Sequence, residues 1–258
     1  MSFAAKCAGA VLLACASALA GPPCPARAAK VDFLLPGMSL ESAAFVPGAR
    51  VSYLVISKSF GAADSSYLEL RVLDRAKGAF RLEVVSSPYP RSKKESTTIR
   101  LRIADRITSL ASPDSFASCL LGIQIKEGTG SFREPSAREI DDMDLESMFL
   151  RTDDSLRRAP LGTAVIKVPA GVFSCEGAEH SRESSRPVSL GGVPARRIEE
   201  EKIRVWISRD VPFWGLVKSS IDRKSRTTAA GAGDSASRPR ETATESVLLS
   251  YTKPRRRS

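Results

Sequence analysis

Alternation of apolar and polar residues with period two recurs along most of this chain, and it commits those stretches to half-buried β-strands. In residues 66–74, Leu68, Leu70 and Val72 share one side while Tyr67, Glu69 and Arg71 share the other. Residues 80–84 alternate Phe80, Leu82 and Val84 with Arg81 and Glu83, and the Asp74 to Gly78 stretch between supplies turn chemistry for an antiparallel hairpin. Residues 98–104 place Ile99, Leu101 and Ile103 against Arg100 and Arg102. Residues 51–57, 163–168, 172–178, 198–208, 215–221 and 246–251 complete the set of expected strands. Helical periodicity is scarce. Residues 136–151 carry Ile140, Met143, Leu145, Met148 and Phe149 at helical spacings with acids early, and residues 114–121 are a second, shorter candidate. Strands joined by turns, with few crossover helices, imply a mainly β (α+β) protein built on a curved antiparallel sheet or half-barrel with one or two helices.

The N-terminus sets the compartment. Lys6 precedes an apolar run from Cys7 to Ala20, which ends at Gly21, Pro22 and Pro23. That is a secretory signal pattern, with small-residue cleavage sites after Ala20 and after Ala28. Cleavage after Ala28 is the expectation, because a folded domain begins to read at Val31; the Leu12-Leu13-Ala14-Cys15 run alternatively fits a lipobox that would keep Cys15 as a lipidated first residue. The expected location is the periplasm, with an outer-membrane lipoprotein as the alternative. After removal of residues 1–28, two of the five cysteines remain, Cys119 and Cys175. In an oxidising compartment they read as one disulfide or as two separately buried thiols.

The formal net charge of +10 is concentrated in the tail. Residues 29–222 carry a net +2, whereas residues 223–258 carry +6. The chain therefore divides into a signal (1–28), a sheet domain with its helix near 136–151 (29–222), a basic Ser/Thr/Ala/Gly-rich linker or loop (223–244), and a last strand with a basic tail (245–258). Lys253-Pro254-Arg255-Arg256-Arg257 reads as a solvated tail or as a peripheral contact with anionic membrane. No aromatic residues interleave the basic ones, which argues against nucleic acid.

Few chemistries fit. One histidine in the chain excludes a multi-histidine metal site. The acidic run Asp141 to Glu146 lacks the glycine of a calcium loop, no nucleophile elbow accompanies His180, and Gly128-Thr129-Gly130 lacks the Lys-Ser or Lys-Thr of a phosphate loop. The expectation is a non-catalytic protein with no cofactor and no metal.

The most distinctive residues are Val168-Pro169-Ala170-Gly171-Val172-Phe173-Ser174-Cys175 and, farther on, Val205-Trp206-Ile207-Ser208 and Val211-Pro212-Phe213-Trp214-Gly215-Leu216-Val217-Lys218. Pro169 to Gly171 and Pro212 to Gly215 supply tight turns, with glycine available for positive φ. Trp206, Phe213 and Trp214 bring large apolar area to that end of the sheet. At these residues the sequence resembles a diffuse set of uncharacterised exported bacterial proteins sharing Pro-Ala-Gly-(Thr)-Phe-x-Cys, Val-Trp-x-Ser and Val-Pro-x-x-Gly-Leu-Val-Lys. These look related to the lipoprotein-carrier (Lol-type) fold. The resemblance covers residues 164–222 and is weak before them; Val172 replaces the usual threonine. It implies a curved antiparallel sheet around an apolar concavity, and it carries over no catalytic residue. The functional expectation is an exported envelope protein holding a lipid or a lipoprotein acyl group against Trp206, Phe213, Trp214 and Lys218. The alternative is a scaffold or interaction subunit of an envelope complex, whose partner is a protein.

Overall fold

The structure is a computed structural model, describing residues 45–59, 61–105, 119–142, 157–190, 193–229 and 240–253. The signal segment, Cys15 and the basic residues after Lys253 lie outside them. Ten strands form one curved antiparallel sheet: β1 (Arg50–Ser59), β2 (Ala62–Ala76), β3 (Ala79–Pro88), β4 (Thr97–Ala104), β5 (Leu120–Glu127), β6 (Arg157–Val168), β7 (Gly171–Leu190), β8 (Val193–Ile207), β9 (Leu216–Ala229) and β10 (Arg240–Thr252). Their order is β5-β4-β3-β2-β1-β10-β9-β8-β7-β6, so the sheet remains open, with β5 and β6 at its edges.

Each half is a meander whose turns are written in the sequence. Lys77 (φ 54°) and Gly78 (φ 73°) join β2 to β3 between the paired Ala76 and Ala79, the two-residue turn with positive φ that matches strand twist. The halves meet where β10 pairs with β1 and β9. The expected strand near 246–251 is thus the centre of the sheet, and the division at 222 does not separate a domain from a tail.

Alternation places Tyr53, Leu70, Leu82 and Leu101 of the first half, and Ile203, Val205, Ile221 and Leu248 of the second, in a single buried cluster on the inner face. On the opposite face of the first half, buried carboxylates sit between arginines. Glu83 bonds Arg71 at 2.6 Å and Arg100 at 2.8 Å, and Glu69 bonds Arg50 at 2.6 Å. The aliphatic stems of these arginines shield the sheet while their charges satisfy the carboxylates.

Two expectations are corrected. The 223–244 linker is strand at both ends, because β9 runs to Ala229 and β10 begins at Arg240. Cross-strand ion pairs such as Arg223–Glu201 and Lys224–Glu241 support polar strands that apolar alternation does not reveal. At the end of the 114–121 helix candidate, Leu120 and Leu121 belong to β5, whose Ile123 and Ile125 pair with Leu101 and Ile99. The helix expected over 136–151 is described for Ala137–Asp142. A reciprocal cap starts it: Glu139 Oε2 accepts from the Ser136 N–H at 2.8 Å, and Ser136 Oγ accepts from the Glu139 N–H at 3.3 Å.

Candidate functional site

Two turns dress the inner face. In the first, Ser208 N–H donates to the Gly215 carbonyl at 2.8 Å and Gly215 N–H to the Pro212 carbonyl at 3.3 Å. Gly215 has φ 73° and Phe213 has φ 61°, so this turn uses the left-handed region twice. Val211 and Phe213 are thereby buried in the core. Phe45 stacks on Phe80 at 4.5 Å and meets Phe213 and Trp214 edge-on at 5.7 and 5.8 Å. Beneath them Tyr53 Oη donates to the Leu216 carbonyl at 3.1 Å, and burial pushes that phenol well above its ordinary range.

The second turn is the β6–β7 tip. Ala170 N–H, beside Pro169, donates to the Leu248 carbonyl of β10 at 3.3 Å. Phe173 meets Tyr251 edge-on at 5.7 Å. Gly171, with φ 140°, makes this turn feasible. The hairpin tip therefore folds back over the middle of the sheet.

The four residues expected to bind an apolar ligand are divided by the fold. Phe213 and Trp214 join the aromatic cluster. Trp206 and Lys218 are register partners on the other face of the strands from Val205 and Val217. The Trp206 indole lies over Gly177, where a Cβ would come within 3.4 Å of Nε1, and Lys218 Nζ pairs with Glu245 at 2.7 Å.

Sequence reasoning missed what happens farther along β7, β8 and β9. His180, Ile203 and Ile221 occupy one rung on the core face, all buried. Two residues along each strand, on the same side, stand Arg182, Glu201 and Arg223. Glu201 is 7% exposed and is held by Arg182 Nε at 2.7 Å and Arg223 Nε at 2.6 Å. The apolar wall thus changes abruptly into a charged one. It opens into a groove of about 1140 Å³, lined by the margins of β1, β7, β8, β9 and β10. Six basic and five acidic side chains line this groove. Near it, hydrogen bonding from Arg204 holds the Glu179 carboxyl below its ordinary range despite partial desolvation, and the hydrogen bond to Glu241 raises Lys224. The only signal in the sequence was the continued i, i+2 spacing past Ile203 and Ile221, masked by the change from apolar to charged side chains.

Cys119 and Cys175 are free thiols, so of the two readings the pair of separate thiols is the one the structure shows. Cys175 lies in the core on β7, next to one sheet edge, with its Sγ 3.7 Å from the Phe173 carbonyl, whereas Cys119 leads into β5 at the other edge. Burial raises the Cys175 thiol above its ordinary range, which disfavours the reactive thiolate. Among the described residues no cluster of His, Cys, Asp and Glu is arranged to hold a metal. No helix among them is long and apolar enough to cross a membrane.

No protein-family model matches the chain, and no curated protein matches it. Among solved structures, it is similar to a "putative exported protein with YmcC-like fold" from Bacteroides fragilis, at 12% identity and TM-score 0.31, over 81% of this chain and 97% of that one. A "putative lipoprotein" from Parabacteroides distasonis gives 12% identity and TM-score 0.31, over 81% and 98%. LprF from Mycobacterium bovis gives 11% and 0.26, over 84% and 90%. Scores this low transfer neither family nor function, so the functional reading rests on this chain's own residues.

Proposed function

We propose that this chain is a non-catalytic binding protein of the cell envelope that holds a hydrophobic ligand, a lipid or the acyl part of a lipoprotein, against the inner face of its sheet. One observation carries the reading: a continuous apolar face extends across both halves of a sheet that does not close into a barrel. An open sheet must cover such a face with a second layer. Over the β1, β9 and β10 region, that cover includes two turns and Phe45, and turn segments can yield to an acyl chain more readily than a packed strand. The export pattern at the N-terminus supports the compartment.

The test is native mass spectrometry of the mature protein purified from its own envelope, with organic extraction of whatever remains bound. Lipid should co-purify and should be lost on Val55→Asp, which charges a partly buried wall residue, with the far-ultraviolet circular dichroism spectrum retained. An empty protein in repeated envelope preparations would overturn the reading.

A second reading, a scaffold in an envelope complex, is favoured by the β6–β7 hairpin at the sheet edge. Leu161, Val165 and Val172 there are 45%, 74% and 63% exposed. Protein without lipid but with a co-purifying polypeptide, released by Val165→Lys, would select it.

A further inference from the structure

On the face opposite the core, the first half of the sheet carries more positive charge than its carboxylates match. Two neighbouring rungs there hold five arginines against two acids. The first rung is Arg50, Arg71, Glu83 and Arg100; the second is Asp74, Arg81 and Arg102. Both lie on one face, because the steps from Glu83 to Arg81 and from Arg100 to Arg102 are each two residues, and a bulge between Val72 and Asp74 keeps β2 in step. On the rung to the other side, Glu69 is balanced by Lys126, and Arg91 reaches Glu69 from the β3–β4 loop.

The ion pairs on this face leave charge and donors over. Arg71 and Arg100 share the single carboxylate of Glu83, the first through Nη2 and the second through Nε. Arg102 is exposed and has no ion-pair partner among the described residues. The side chains of Arg50, Arg71 and Arg81 are 41%, 44% and 53% exposed, so their guanidinium groups meet solvent. On the same face of the second half, by contrast, bases and acids pair off: Lys218 with Glu245, Arg204 with Glu179 and Lys224 with Glu241. The surplus therefore belongs to one half of one face.

The layout of the surplus identifies what it fits. From β1 to β4 the arginines are spread over three strand spacings, about 14 Å, and do not share one point. A single small anion cannot meet them together, whereas a plane of phosphates can, and each guanidinium is a planar fork matched to phosphate oxygens. Thr252, the register partner of Arg50, ends β10 beside the first rung. The sequence just beyond it adds Arg255, Arg256 and Arg257.

We propose that the arginine face of β1 to β4 docks on the surface of a bilayer rich in anionic phospholipid. This goes beyond the hydrophobic-ligand reading and does not rest on it, since the two surfaces lie on opposite sides of the sheet.

Flotation of the mature protein tests it, with vesicles of phosphatidylcholine alone and of phosphatidylcholine mixed with phosphatidylglycerol. The protein should float only with the anionic vesicles, and high salt should release it. The double variant Arg81→Gln, Arg102→Gln removes two of the five charges and leaves every bond to Glu69 and Glu83 in place. It should weaken binding at least about tenfold, the share of two arginines near an anionic surface. Arg102→Glu, at an exposed position without an ion-pair partner, is the companion if the double variant does not fold, and it should weaken binding in the same direction. Val55→Asp, on the inner face, should leave flotation unchanged.

Equal flotation with both kinds of vesicle, or flotation with neither, would overturn the docking surface and leave the acyl reading standing. Undiminished binding of the arginine variants, lost instead on removal of residues 254–258, would overturn the face and assign the contact to the tail. Displacement from the vesicles by polyglutamate at matched charge would overturn the bilayer as partner and select an acidic polypeptide.

Discussion

At Gly215 a single hydrogen atom in place of a methyl group decides whether the 208–215 turn can close. A Cβ there would lie 2.5 Å from the Ser208 carbonyl oxygen and 2.8 Å from Ile207 Cγ2, and φ is +73°. Gly78 has the same φ with nothing within 4 Å. Gly78→Ala should therefore cost about 1–2 kcal/mol, the left-handed penalty alone, whereas Gly215→Ala should cost clearly more; urea titration of the pair isolates the steric part. Glu83 supplies a second residue-scale prediction. Burial pushes its carboxyl up, but hydrogen bonding from Arg100 and the charge of Arg71 outweigh that and hold it low. A carboxyl lowered in the folded state stabilises it above the ordinary glutamate value of 4.5, and that contribution is lost as pH falls through the folded value. Urea midpoints measured from pH 7 downward should fall in acid for the native chain, and less steeply for Glu83→Gln, which starts less stable.

The β6–β7 hairpin is the element whose two sides have different tasks. Its inner side supplies Phe173 and Val168 to the core, while Val165 and Val172 project into solvent. Pro160 removes a donor from the edge and Gly162 bends it with φ 80°, devices that discourage pairing between sheet edges. In the 163–168 stretch beyond them Lys167 is the one charged residue. Val165→Lys should change unfolding free energy by no more than about 0.5 kcal/mol, as exposed positions do, and should lower self-association in sedimentation velocity. A large loss of stability would mean that Val165 is covered in solution.

Across the whole molecule, the strand order makes two meanders into one unit. β10, last in sequence, pairs with β1, and Tyr53 of β1 bonds the Leu216 carbonyl at the start of β9. Leu82 and Leu216, one in each half, are both fully buried in the same cluster. Leu82→Ala and Leu216→Ala should each cost about 2–5 kcal/mol. In both variants, circular dichroism, which reports all strands, and fluorescence of Trp206 and Trp214, which lie in the second half of the chain, should give coincident transitions. Separate transitions would show that the halves unfold independently.

The sequence by itself determined the antiparallel β class, most strand positions and the two glycine turns, because period-two burial and positive φ are local properties of a strand and a turn. The fifth strand escaped because its first residues, Leu120 and Leu121, are both apolar and break the alternation. The polar ends of β9 and β10 escaped because their support is cross-strand ion pairing, which depends on which strands are neighbours. The same limit applies to the site. Pro169, Gly171, Pro212 and Gly215 were legible as turn formers, and Phe213 and Trp214 as apolar mass. That Trp206 and Lys218 face away from Val205 and Val217 follows from alternation along each strand; that the two stand opposite each other depended on strand register. That Arg182, Glu201 and Arg223 would share one rung at the end of the apolar wall was decided only when the tertiary structure brought β7, β8 and β9 side by side.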